Sequence, residues 1–128
     1  MTRFLLFSLA LWHGANGLFM VLAPQPWYTT VPGVPATGAF NAHFVTDIGI
    51  AFLASALALL LAAQVRGSGR ASLMLAPALF LGGHALLHLA ELPGADLSTT
   101  MRDLVAIIVP GLMPGAIALA ARRQGAHR

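Results

Sequence analysis

The sequence contains no cysteine and no lysine, and it has few charged residues of any kind. The absence of cysteine excludes disulfide bonds, thiolate metal sites and cysteine nucleophiles. Charged residues make up only 9% of the chain, whereas soluble domains carry roughly 25% because their surfaces face water. A surface that faces lipid needs no charge. With 58% hydrophobic residues and a mean hydropathy of +0.80, the composition favours a membrane protein.

The net charge of +3 does not indicate nucleic-acid binding. A nucleic-acid surface needs a basic stripe, usually with interleaved aromatic residues, and the sequence has neither. The basic residues stand singly or in pairs between apolar runs, so we interpret them as signals of membrane topology. They are Arg3, Arg66, Arg70, Arg102, Arg122, Arg123 and Arg128.

Four apolar stretches each approach the ~20 residues that an α-helix needs to cross a bilayer. Backbone groups in lipid have to satisfy one another, so we expect these stretches to be helical. The first is long for a signal peptide and lacks a clear A-x-A cleavage site, which favours a retained helix. The sequence predicts an all-α integral membrane four-helix bundle, up-down-up-down, as one domain over residues 1–128. The expected helices are about 4–23, 42–63, 73–92 and 104–121.

The connections between these stretches differ in charge. The segment 64–72 carries two arginines and the C-terminal tail carries three, whereas 24–38 is uncharged and 93–100 carries one aspartate. Short basic segments stay in the cytoplasm. We therefore expect both termini to be cytoplasmic and the connections 24–38 and 93–100 to lie outside.

Prolines predict local irregularity in two kinds of place. Four of them fall in the connection 24–38, where we expect little regular structure. Pro77, Pro110 and Pro114 fall inside the third and fourth apolar stretches, where both helices are expected to bend.

Ionisable residues concentrate in the expected outer half of the bundle. All four acidic residues and four of the five histidines fall there. A charged group that faces lipid costs several kcal/mol, so we expect these side chains to converge inside the bundle. At ~100° per residue, His84, His88 and Glu91 share one face of the third helix, and His43 and Asp47 share one face of the second.

A metal site is one interpretation of this cluster. The spacing of His84 and His88, four residues apart on one helix, lets both imidazoles reach a single ion. Glu91 follows one turn later, and His43 with Asp47 would complete the shell from the second helix. Imidazole and carboxylate ligands suit Zn, Fe or Cu(II). The pattern resembles di-metal carboxylate bundles only in part, because those proteins use paired E-x-x-H motifs.

A structural network is the second interpretation. Arg102 would neutralise Asp47 or Glu91, and the histidines would bridge carboxylates to water molecules. The chain would then lie in the lipid bilayer as a non-enzymatic accessory subunit of a larger membrane complex, or would form a homo-oligomer there.

Cofactor or small-ligand binding is a third interpretation. A haem b group needs axial ligands, which His13 or His43 on one side and His84 or His88 on the other would supply. A quinone, a carrier function or a proton relay also stays open. No residue combination indicates a particular reaction, so no catalytic residue is assigned.

The stretches HGANGLF (residues 13–19) and FNAHFVTDIG (residues 40–49) resemble the small four-helix membrane proteins of the DoxX-like group. The size and layout of the whole chain are similar to that group as well. The resemblance implies a multi-pass protein of the bacterial inner membrane. Some members are tied to oxidoreductase complexes, so it also implies an accessory or redox-associated role by analogy.

Overall fold

The computed structural model describes residues 2–126, and every regular element in that range is helical. A 3-10 turn forms at Val34–Thr37, and a π-helical segment at Leu104–Ile108 joins the last two helices. The α-helices are α1 (Thr2–Leu22), α2 (Pro24–Thr30), α3 (Ala42–Gln64), α4 (Gly67–Leu73), α5 (Leu75–Glu91), α6 (Leu97–Asp103) and α7 (Val109–Ala126).

Three helical stretches are long and apolar enough to cross a membrane: α1, α3 and the continuous run Leu97–Arg123. Helices α4 and α5 pass the same test together but are bent by 48° at the break between them, so they form a fourth span if counted as one. Phe4 is 79% exposed and Leu79 is 80% exposed. Large apolar side chains at that exposure suit hydrocarbon rather than water, and the helices agree with a multi-pass membrane protein.

The expected boundaries agree with the first two long helices and differ for the others. Helix α4 occupies most of the basic segment 64–72, which was expected to be a loop. The last span begins at Leu97, seven residues before the expected start at 104. Asp96 explains this difference, because its carboxylate accepts the backbone N–H of Thr99 at 3.0 Å and caps α6.

The prolines of the first connection begin a helix rather than prevent one. Helix α2 starts at Pro24, with proline in its first turn. The N–H groups of a first turn have no partner within the helix, so proline is tolerated there. The expectation of little regular structure in 24–38 is therefore wrong for α2 and for the 3-10 turn.

Neighbouring long helices run antiparallel and approach closely at glycines. A Cβ atom added to Gly17 of α1 would lie 2.7 Å from the carbonyl oxygen of Gly49 on α3. A Cβ atom added to Gly111 of α7 would lie 2.7 Å from the carbonyl oxygen of Leu81 on α5. Such contacts leave no room for a side chain, and small residues permit the same approach in membrane helices generally. Helices α3 and α5 meet through the Phe52 and Phe80 rings, 5.1 Å apart.

The prolines of the last two spans disturb their helices in different ways. The bend expected near Pro77 falls between α4 and α5, three residues earlier at Met74. The π-helical segment ends just before Pro110. Proline has no N–H, so the carbonyl of Ala106, four residues before Pro110, lacks its usual helical donor. The indole N–H of Trp12 donates to that carbonyl at 3.0 Å and joins α1 to the last span.

Candidate functional site

The antiparallel packing separates the charged residues into two ends of the molecule. One end, the acidic end, holds the carboxylates Asp47, Glu91, Asp96 and Asp103 together with Arg102. The opposite end, the basic end, holds Arg3, Arg66, Arg70, Arg122 and Arg123. The candidate site lies at the acidic end and extends toward the middle of the helices.

Asp103 is the centre of this site. It is the last residue of α6 and is only 5% exposed. Its Oδ1 atom accepts a hydrogen bond from Nε of Arg102 at 2.8 Å, and its Oδ2 atom lies 3.0 Å from Nδ1 of His88 on α5. A carboxylate only accepts hydrogen bonds, so Nδ1 of His88 carries the hydrogen. Both oxygens of the buried carboxylate therefore have a partner, and we refer to these three residues as the Asp103 network.

Arg102 also contacts the first connection. Gly33 has a φ of +90°, in the left-handed region that favours glycine. A Cβ atom added there would lie 3.4 Å from a terminal nitrogen of the Arg102 guanidinium. The loop between α2 and α3 thus packs against the charged head group of the network.

A row of aromatic rings continues from the network into the helices. The His84 and His88 rings lie one turn apart on α5, with centroids 4.8 Å apart and an angle of 77° between them. The Phe52 ring of α3 meets His84 edge-on at 5.9 Å and stacks on the His13 ring of α1 at 5.9 Å. Two histidines from two helices, His13 and His84, therefore contact the Phe52 ring, and His88 extends the row from His84 to the network.

His13 is the innermost member of this row. It is 4% exposed, and its Nε2 atom has no hydrogen-bond partner among the described residues. The carbonyl of Pro110, which Pro114 deprives of its helical donor, is a neighbour of the ring. An imidazole in this position offers one nitrogen as a ligand or a hydrogen-bond acceptor in an apolar surrounding.

The remaining predicted ligands lie apart from this row. Nε2 of His43 lies 3.3 Å from Oδ2 of Asp47, and these side chains are 88% and 56% exposed. Glu91 is exposed at the end of α5. Within residues 2–126, the structure holds no group of three or more histidine, aspartate or glutamate side chains that could bind a metal ion. The predicted metal ligands are brought together in pairs, His84 with His88 and His43 with Asp47.

Two features of the site were not predicted from the sequence. Arg102 pairs with Asp103 rather than with Asp47 or Glu91 as expected. The indole N–H of Trp27 donates to Oδ1 of Asn16 at 2.9 Å, which ties α2 to α1. The available signal for the first was the adjacency of arginine and aspartate at the start of an apolar run.

No protein-family model, curated protein or solved structure matches this chain. The function is therefore inferred from the chemistry of the residues themselves. That chemistry consists of a neutralised buried carboxylate, two adjacent histidines and one buried imidazole nitrogen without a partner.

Proposed function

We propose that this chain is a four-span protein of the bacterial inner membrane whose Asp103 network is a structural element. The antiparallel neighbours support an up-down-up-down four-helix bundle. The arginines of the basic end support a cytoplasmic position for both termini, because short basic segments stay inside. The single observation that carries the structural role is the pairing of both Asp103 oxygens, with Arg102 and with His88.

A buried carboxylate with both oxygens occupied holds helices together and needs no additional ion. Asp103 joins α6 to α5 through His88, and Arg102 extends the contact to the loop at Gly33. Removing one partner from such a group leaves an uncompensated charge in a medium of low polarity. These contacts support a role as a non-enzymatic membrane subunit. By analogy with the DoxX-like group, that subunit is an accessory part of a larger membrane complex or of a homo-oligomer.

Metal binding is the second candidate function. It is favoured by the 4.8 Å separation of the His84 and His88 rings, which suits two imidazole ligands on one ion. Zn, Fe or Cu would then need further ligands from a second copy or a partner, because the Asp103 carboxylate is already engaged. The residues fit haem b less well, since the Phe52 ring packs against both His13 and His84.

Elemental analysis distinguishes these two functions. Protein purified without chelator is expected to be colourless, folded and free of Zn, Fe and Cu. Near-stoichiometric metal that is released at about pH 5, where protons compete for histidine, would overturn the structural role. Loss of that metal in His84→Ala/His88→Ala, and its retention in the exposed control His43→Ala, would assign it to α5.

A further inference from the structure

An apolar groove lies at the basic end, far from the Asp103 network along the helices. Its volume is about 330 Å³, within the range of about 300–1,000 Å³ that small-molecule sites occupy. Helices α1, α4 and α7 form its walls. The residues that line it include Thr2, Leu5, Arg70, Met113, Ala116 and Ile117.

Arg70 is the one charged residue of this groove among the residues described. Its Nε atom donates to the carbonyl of Ala62 at 3.0 Å. That carbonyl belongs to the last turn of α3, where carbonyl groups have no partner within the helix. The contact holds the guanidinium in place, and among the side chains of residues 2–123 and the backbone of residues 2–126 no hydrogen bond engages its terminal nitrogens.

Among the described residues, the charged side chains at this end are all positive. The basic end has four further arginines in the described part of the chain, and all four acidic side chains lie toward the acidic end. A ligand for this groove therefore combines a negative group with a hydrocarbon part. A free inorganic anion would leave the apolar walls uncovered, and an uncharged lipid would leave Arg70 without a partner. A zwitterionic lipid such as phosphatidylcholine has a phosphate, but its choline cation would be repelled by the arginines of the basic end.

We propose that the groove binds an anionic phospholipid, with its phosphate on Arg70 and an acyl chain along α1 and α7. Basic pockets between membrane helices on the cytoplasmic side recognise acidic head groups through the same chemistry. This inference goes beyond the proposed function and rests only on the placement of the helices in a membrane. It does not depend on the state of the histidines.

Native mass spectrometry of the detergent-solubilised protein tests the proposal with phosphatidylglycerol and phosphatidylcholine of identical chains. We expect phosphatidylglycerol to bind about fivefold more tightly, the effect of one arginine near a head group with net negative charge. Arg70→Gln should reduce this binding to the level of phosphatidylcholine. Arg66→Gln, an exposed arginine outside the groove lining, should bind as the unmodified protein does. Inorganic phosphate at the same concentration should not displace the lipid.

A second variant tests the hydrocarbon part of the site. Ala116 lines the groove and is exposed, so Ala116→Leu fills the groove without crowding the core. It should weaken the binding of both lipids, with helix content unchanged by circular dichroism. Equal binding of the two lipids, unchanged phosphatidylglycerol binding in a folded Arg70→Gln, or unchanged binding in Ala116→Leu would overturn the proposal. If Arg70→Gln does not fold, the lipid preference and Ala116→Leu decide it.

Discussion

Gly17 and Gly49 allow the backbones of α1 and α3 to touch. A Cβ atom added to Gly49 would lie 2.8 Å from Cβ of Met20 and 2.9 Å from a methyl carbon of Val21. Lipid tails are as apolar as the helix surfaces, so burial of apolar area does not drive helices together in a membrane. Close van der Waals packing at these glycines therefore contributes to the association of the two helices.

The first prediction is that Gly49→Ala destabilises the fold. The added methyl group has to displace Met20 or separate the helices, and overpacking of this kind costs about 1–3 kcal/mol. The free energy of unfolding in detergent micelles measures the effect. Gly83→Ala is the matched control, because its added Cβ would meet no atom within 4 Å. Equal unfolding free energies for the two variants would show that the close contact at Gly49 does not contribute to the stability of the fold.

At the acidic end, the helix boundaries are determined by capping residues as well as by hydrophobicity. The carboxylate of Asp96 accepts hydrogen bonds from the backbone N–H and the hydroxyl of Thr99, and α6 begins immediately after it. These two hydrogen bonds lower the pKa of Asp96 below its ordinary value of 3.8. The cap thus favours the charged carboxylate in the folded protein.

The second prediction concerns the pH dependence of this cap. Folding lowers the pKa of Asp96, so the stabilisation of the folded protein by the cap is complete above pH 3.8. It is lost as the pH falls through the lower pKa of the folded state. Asp96→Asn keeps a capping oxygen without a titrating group. The thermal unfolding temperatures of the two proteins should therefore be similar at pH 7. On acidification, that of the unmodified protein should fall relative to that of Asp96→Asn. A difference that is independent of pH would contradict the role of the cap.

The start of α6 also explains which parts of the site the sequence predicts. Apolar length alone predicts α1 and α3 to within two residues at each end, since nothing in those runs competes with the helix. It places the last span at 104, and Asp103 then belongs to a connecting segment. Once Asp96 begins the helix at Leu97, Asp103 lies two turns inside it and faces His88. The sequence thus predicts that ionisable residues concentrate at one end. It does not predict their pairing, because the pairing depends on where the Asp96 cap starts the helix.

The third prediction tests the Asp103 network. Arg102→Leu leaves a buried carboxylate with His88 as its remaining partner, and we expect a loss of roughly 2–3 kcal/mol in unfolding free energy. Breaking a fully buried pair costs about 3–5 kcal/mol, and the loss here is smaller because the Arg102 side chain is 34% exposed.

The double variant Arg102→Leu/Asp103→Leu is the control for this network. It removes both charges, so it should be more stable than Arg102→Leu alone even though it carries one more substitution. Asp103→Leu alone completes the cycle: a loss in the double variant equal to the sum of the two single losses would mean that Asp103 and Arg102 are not energetically coupled.

The whole molecule is polarised along its helices. Five arginines of the described residues lie at one end, and the carboxylates and the histidine row extend from the other. A translocating chain keeps short basic segments in the cytoplasm. We therefore expect the same asymmetry that supports an anionic lipid at the basic end to determine how the helices insert.

The last prediction is the orientation of the chain, tested with a reporter enzyme that is active only outside the cytoplasm. Fusions after Gly38 and after Gly94, in the uncharged and the acidic connections, should be active. Fusions after Gly69 and after Arg128 should be inactive, because the preceding arginines hold those positions inside. A fluorescent reporter that matures only in the cytoplasm should give the reverse pattern at the same four positions. Strong activity of the first reporter after Arg128 would show that the chain has the opposite orientation. The anionic-lipid groove would then face the outer leaflet.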